Sequence, residues 1–132
     1  MATTVELRQR IPPKQILVVE DELVTAHAIR TVLDMDGHAV DVAKDGEEGL
    51  AMFMSGEHDV IIADFKLGKM DGLELAEAIK KHSPGTPVIL ITAYAEKIDS
   101  STGEVSNVDV LLKKPLSVAD LQQALRTVFP AL

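Results

Sequence analysis

The chain has 132 residues, 46% hydrophobic and 26% charged, which is enough apolar mass for one core and too little length for two ordinary domains. Lys and Arg number 13 against 21 Asp and Glu; the resulting formal charge of −8 argues against direct duplex binding and against docking on an anionic membrane, both of which use basic side chains to neutralise phosphates. Cysteine is absent, so disulfides, thiolate metal sites and cysteine nucleophiles are excluded, and with no signal-peptide core or membrane-spanning run the expected setting is cytoplasmic.

Residues 1–13 are polar and mixed and end in Ile11-Pro12-Pro13, where two prolines remove two backbone donors; they read as a tail or linker, leaving 14–132 as the domain. Short apolar runs then alternate with helix-period segments. Ile16–Val19 is the first run. A helix follows, with Val24, Ala28, Ile29, Val32, Leu33 and Met35 on one broad arc and Gly37 as its stop. Ala39–Ala43 is the second, weaker run, and Gly46–Ser55 is the second helix, its Met and Phe residues expected in the core. Val60–Ala63 is the third run, followed by a helix carrying Leu73, Leu75, Ala76 and Ile79 and ending before Ser83-Pro84-Gly85. Val88–Ile91 is the fourth run. The segment Ala95–Asn107 is polar, so any helix there is short or mobile. Val108–Leu112 is the fifth run, and the last helix opens on the capping pair Ser117 and Asp120 with Leu121, Ala124, Leu125 and Val128 as its core face. Four of the runs are continuous Val/Ile-rich stretches rather than alternating ones, the pattern of strands buried on both faces of a parallel sheet. Five βα units predict a doubly wound α/β fold.

In open α/β sheets, ligands bind beyond the carboxyl ends of the strands. Glu20, Asp21 and Glu22 follow the first run, Asp64 the third, Thr92 the fourth, and Lys113-Lys114-Pro115 the fifth. Carboxylates converging from two neighbouring strands repel one another, and a hard divalent cation such as Mg2+ is their natural complement. A hydroxyl from Thr92 and an ammonium from Lys114 complete a set able to hold a phosphoryl group, and an Asp in that setting suits covalent phosphoryl acceptance.

The segments Ile16–Glu22, Asp64–Leu75, Ile91-Thr92-Ala93 and Lys114-Pro115-Leu116 occur in that order, with Asp64 standing 28 positions before Thr92 and Thr92 standing 22 before Lys114. Together they resemble the receiver domain of bacterial two-component response regulators, from Lys14 to about Phe129. The resemblance implies the flavodoxin-like, CheY-like doubly wound five-stranded parallel sheet of order 2-1-3-4-5, (βα)5. It implies that Asp64 is the phosphoacceptor, that Asp21 ligates Mg2+ directly and Glu20 through water, and that the backbone carbonyl of Lys66 is the protein's third ligand. Thr92 and Lys114 would contact the phosphoryl oxygens, and the Lys114–Pro115 bond is cis in the family. The implied partners are a histidine kinase or histidine phosphotransfer protein, an output partner or effector domain, and a second copy through the fourth and fifth βα units. The domain itself would be a phosphoacceptor signalling module and not an enzyme acting on other substrates.

Two positions depart from the family pattern. Leu111 stands where an aromatic residue reports phosphorylation, so the usual coupling loses its ring. Gly68 stands where a proline stiffens the loop after Asp64. Lys66 and Tyr94 occupy positions that tune phosphoryl lifetime. The alternatives are a degenerate receiver acting as a protein-interaction module, a flavin or nucleotide module, and a Mg2+-dependent phosphohydrolase of haloacid-dehalogenase type. Such a hydrolase needs a second Asp two residues beyond the first, where this chain has Lys66, and a nucleotide module needs a phosphate loop where this chain has Glu20-Asp21-Glu22. His27, His38, His58 and His82 share no metal-ligand spacing and read as surface or edge residues, and Asp71-Gly72 reads as a turn and helix start.

Overall fold

Five parallel strands, β1 (Gln15–Val19), β2 (Ala39–Ala43), β3 (Val60–Asp64), β4 (Val88–Thr92) and β5 (Val110–Lys113), form one sheet in the order β2-β1-β3-β4-β5. The computed structural model describes residues 11–93 and 104–130. Tyr94 and most of the fourth inter-strand segment lie outside the described residues; what is described of that segment is a short 3-10 turn, Glu104–Asn107. The four α-helices are α1 (Leu23–Met35), α2 (Gly46–Ser55), α3 (Gly72–His82) and α4 (Val118–Val128).

The strand pleat sorts the core into two layers. Ile16 and Val18 of β1, Val60 and Ile62 of β3, and Ile89 and Ile91 of β4 face α1 and α4, where they meet Ile29, Leu33, Leu121 and Leu125. Leu17, Val19, Ile61, Ala63, Val88 and Leu90 face α2 and α3, where they meet Phe53, Leu75, Ala76 and Ile79. β3 and β4 are buried at every position, which is why their sequences read as unbroken apolar runs.

The ends of the elements follow local chemistry. Asp45 caps α2 by accepting the Glu48 N–H at 2.7 Å, and α3 and α4 each open on a full capping box, Asp71 with Glu74 and Ser117 with Asp120. α1 stops in a turn whose Gly37 adopts φ +93°, with the His38 N–H donating to the Leu33 carbonyl at 3.1 Å.

Several expectations are corrected. The arc on α1 is two faces, not one: Ile29 and Leu33 are buried, whereas Val24 and Met35 are 76% and 82% exposed. The residue that completes the buried face is Ala26, which the sequence hides among polar neighbours. On α2 Phe53 is buried but Met54 points outward. β5 begins at Val110, not Val108, because the Asp109 side chain turns back to accept the Val88 N–H at 2.7 Å and the Lys80 ammonium at 2.8 Å. His38 is buried, and the side chain of His58 is largely covered, where surface or edge histidines were expected. His38 Nδ1 accepts the Lys14 N–H at 3.0 Å, and burial holds its pKa below the usual value. His58 pairs with Asp41 at 2.8 Å and stacks on Phe53.

Gly72 marks the closest approach of backbone to the candidate site. Its N–H donates to the Phe65 carbonyl at 2.7 Å, and a Cβ at this position would collide with the Leu90 side chain and lie 2.6 Å from the Asp64 carbonyl oxygen. Gly72→Ala is expected to destabilise the fold by roughly 2 to 3 kcal/mol in urea unfolding, the cost of overpacking a site whose neighbours are backbone. Ala78→Gly, a cavity-free change in the same helix, serves as the comparison and should cost only about 1 kcal/mol.

Candidate functional site

The order of the strands reverses between β1 and β3, and that switch point gathers the polar residues that the sheet otherwise excludes. Glu20 and Asp21 leave the end of β1, Asp64 is the last residue of β3, and Thr92 is the last of β4. Lys114 follows β5 directly, and its backbone N–H donates to the Thr92 carbonyl at 2.9 Å, which ties the two strand ends together. The Lys114–Pro115 peptide bond is cis.

Suitably placed oxygens of Glu20, Asp21 and Asp64 all lie within 4.8 Å of one another. Lys114 Nζ stands 3.0 Å from Asp64 Oδ2 and 3.6 Å from Glu20 Oε1. Glu20 is 3% exposed and Asp64 7%, so these charges are largely out of water. Burial, followed by the neighbouring Asp64 carboxylate, pushes the Glu20 pKa up to about 7. For Lys114 burial acts downward, but its bond to Asp64 and the charges of Asp64, Glu20 and Glu22 outweigh it and raise the pKa.

Glu20 Oε1 also accepts the Glu22 N–H at 3.3 Å, whereas the buried Oε2 has no hydrogen-bond partner. A carboxylate with one buried, unpartnered oxygen, clustered with two further carboxylates, is a donor set for a hard cation. Oxygens about 2.1 Å from a Mg2+ stand at most about 4.2 Å apart, close to the upper limit of the spacing in this cluster. The residues present fit that ion.

All of the site residues expected from sequence, Glu20, Asp21, Asp64, Thr92 and Lys114, converge at this end of the sheet. Lys66 stands two residues beyond Asp64 in the β3–α3 loop, where Gly68 takes φ +82° and Leu67 is buried as the loop's anchor. Leu111 lies on β5 opposite Leu90, 38% exposed. Sequence reasoning assigned Asp71-Gly72 a turn and helix start, which is where α3 begins, but it did not place Gly72 beneath the Asp64 carbonyl, a role that an Asp-Gly pair does not signal.

The raised Glu20 pKa has a stability consequence. In the metal-free protein the folded state binds a proton that the unfolded state has released between pH 4.5 and about 7, so stability falls as pH rises through that window. The Glu20→Gln variant, which keeps the neutral shape, should match wild type near the bottom of the window. At about pH 8 it should exceed wild type by on the order of 3 kcal/mol by denaturant unfolding. His38, with its lowered pKa, acts in the opposite sense as pH falls through its range, and taking the difference between the two proteins removes it. A difference that is flat with pH would contradict the account of Glu20.

Comparison with known proteins adds the family. Residues 16–126 match the model of the response regulator receiver domain. The transcriptional regulatory protein TrcR of Mycobacterium tuberculosis is 33% identical over 86% of this chain and 44% of its own length, and the response regulator ArlR of Staphylococcus haemolyticus is 34% identical over 86% of this chain and 51% of its own. The chain therefore spans about half the length of such relatives. Among solved structures, the response regulator TrrA of Thermotoga maritima, in complex with Mg2+-BeF, superposes with a TM-score of 0.80 at 31% identity, covering 87% of this chain and 98% of that one. The chemotaxis response regulator CheY4 of Vibrio cholerae does so with 0.80 at 26% identity, covering 89% and 99%. A match across nearly the whole described sheet, with the acidic, hydroxyl and lysine residues at its strand ends, makes this chain a member of the response regulator receiver domain family.

Proposed function

We propose that the domain, residues 14–132 with 1–13 as a tail, accepts a phosphoryl group on Asp64 from a histidine kinase or histidine phosphotransfer protein. The observation that carries this reading is the Lys114 ammonium held 3.0 Å from Asp64 Oδ2 beside the partnerless Glu20 Oε2. Glu20, Asp21, Asp64 and the Lys66 carbonyl would hold Mg2+, which when bound offsets the charge of the incoming phosphoryl group. TrrA solved with Mg2+-BeF supports the same assignment by family.

Asp64 supplies the attacking carboxylate oxygen, and its place at the end of a fully buried strand fixes the direction of attack. Lys114, already in reach of Asp64, is poised to pair with a phosphoryl oxygen. Thr92 is fully buried at the end of the neighbouring strand β4, and by the family resemblance its hydroxyl would contact a phosphoryl oxygen. No second carboxylate stands two residues after Asp64 to protonate a leaving group, which separates the site from a phosphohydrolase. The domain's product is its own phosphorylated state, and its setting is the cytoplasm. Phosphorylation would shift a two-state equilibrium of the fourth and fifth βα units, altering contact with an output partner or a second copy rather than with nucleic acid or membrane.

Incubation of the purified protein with Mg2+ and acetyl phosphate should add the mass of one phosphoryl group, and Asp64→Asn should reduce this to background. Identical behaviour of the two proteins would sink the reading and favour a degenerate, interaction-only receiver. Lys114→Met removes the charge that competes with the cation, so Mg2+ affinity measured by calorimetry should tighten, roughly 3- to 10-fold, while phosphoryl incorporation is lost. Unchanged or weaker Mg2+ binding would place Lys114 outside the cluster's electrostatics.

A further inference from the structure

At the end of the sheet away from the acidic cluster, three parts of the chain meet at Lys14. Its backbone N–H donates to His38 Nδ1 at 3.0 Å, its carbonyl accepts the Ala39 N–H at 3.0 Å, and its ammonium lies 4.4 Å from the centre of the Phe129 ring. Phe129 closes α4, its N–H donating to the Leu125 carbonyl at 2.8 Å. Ile11 packs against the same apolar layer as Val128 and Phe129. The segment Ile11–Lys14, which leads into β1, is thereby tied both to the turn between α1 and β2 and to the end of α4. That turn and α4 are also joined directly, because Gln122 Nε2 donates to Asp36 Oδ2 at 3.1 Å.

Pro12 and Pro13 carry no N–H, so Lys14 is the first backbone donor after Ile11. His38 Nδ1 accepts from it only while that nitrogen is unprotonated, with the ring hydrogen on Nε2. His38 is buried, so protonation sets one donor against another with little water to relieve either. Burial weighs most against a charge on the ring; Asp36, from the same turn, favours one, and Lys14, from the entry segment, opposes it. α4 meets these two charged residues through the uncharged Gln122 and Phe129. An imidazolium at His38 would therefore be drawn to Asp36 while both the N–H and the ammonium of Lys14 are pushed away.

We propose that His38 is a proton-operated latch: neutral, it clasps Ile11–Lys14 to the α1–β2 turn and the end of α4, and protonated, it lets that segment go. The step is the transfer of one proton from water to Nδ1 with loss of the Lys14 hydrogen bond, and no covalent bond of the chain changes. Release takes Ile11 off the apolar layer and the Lys14 ammonium off Phe129, so the end of α4 loosens as the entry segment leaves. The sheet itself stays, because β1 pairs with β2 from Gln15 onward and with β3 from Ile16. The latch acts on the last helix without using the acidic cluster, and it holds whether or not Asp64 accepts a phosphoryl group.

The test follows the intact chain by NMR from about pH 8 down to about pH 5, across the ordinary histidine range, without Mg2+ or a phosphodonor. The Lys14 amide, the Ile11 methyl groups and the Phe129 ring should change together, at the midpoint where the His38 ring titrates. Hydrogen exchange at the Lys14 amide, corrected for its intrinsic rate, should lose roughly tenfold in protection at the acid end, the worth of one net hydrogen bond, while the Ile61 amide within β3 keeps its own. His38→Asn sets an amide oxygen in place of Nδ1 and cannot titrate, so its clasp should stay closed throughout. His38→Leu, which has no acceptor, should show the released Lys14 and Ile11 signals already at the alkaline end. A Lys14 amide and Ile11 methyl groups indifferent to the His38 titration, a ring that stays neutral to the acid end, or a His38→Asn protein that opens as wild type does would each overturn the latch.

Discussion

Three carboxylates and one ammonium at the end of a parallel sheet set the terms for the rest of this molecule. Glu20, Asp21 and Asp64 are brought within 4.8 Å because β1 and β3 are neighbours, and Lys114, delivered from the far edge by β5, pairs with Asp64 and Glu20. Gathering like charges out of water is unfavourable, and one ammonium does not balance three carboxylates. The raised pKa of Glu20 is the sign of that deficit. Such a site is short of positive charge, and a divalent cation would supply the two charges that the cluster lacks.

Such a cluster holds its shape only if the surrounding framework does not give. The strands beneath it are the most deeply buried in the sheet, and backbone bonds at their ends, from Phe65 to Ile91 and from Lys114 to Thr92, fix their relative height. The loop that carries Lys66 is different in kind. Leu67 anchors it and Gly72 grips its far end under Asp64, but Gly68 at φ +82° leaves a swivel between the two.

Most of the fold was legible in the sequence because burial on both faces writes itself as continuous Val and Ile runs in β1, β3 and β4; the fifth run reads the same way, yet β5 is an edge strand whose residues are half-buried or exposed. The site was legible for a related reason: at the end of an apolar run, an acidic residue has few structural uses, so Glu20, Asp21 and Asp64 stood out against their background. What was not legible concerns side chains whose roles depend on partners far along the chain. His38 looks like a surface histidine until β1 supplies the Lys14 N–H to its ring, and Asp109 looks like part of a strand until Val88 and Lys80 claim its carboxylate. The unpartnered Oε2 of Glu20 is likewise a property of the assembled site and has no local signal.

The two faces of α1 show how pattern and function can be confused. A hydrophobic arc normally marks the stripe a helix buries, and on α1 the residues Ile29 and Leu33 obey that rule. Val24, Ala28 and Val32 belong to the same arc by sequence but line the groove that opens beside Lys114. A solvated helix face would be expected to carry charge there, as α1 does on its other exposed side with Arg30 and Asp34 paired at 3.7 Å. Val32 still packs partly against the core, whereas Val24 and Ala28 are left exposed beside the charged site, and exposed apolar residues of that kind tend to promote association rather than hold the sheet together.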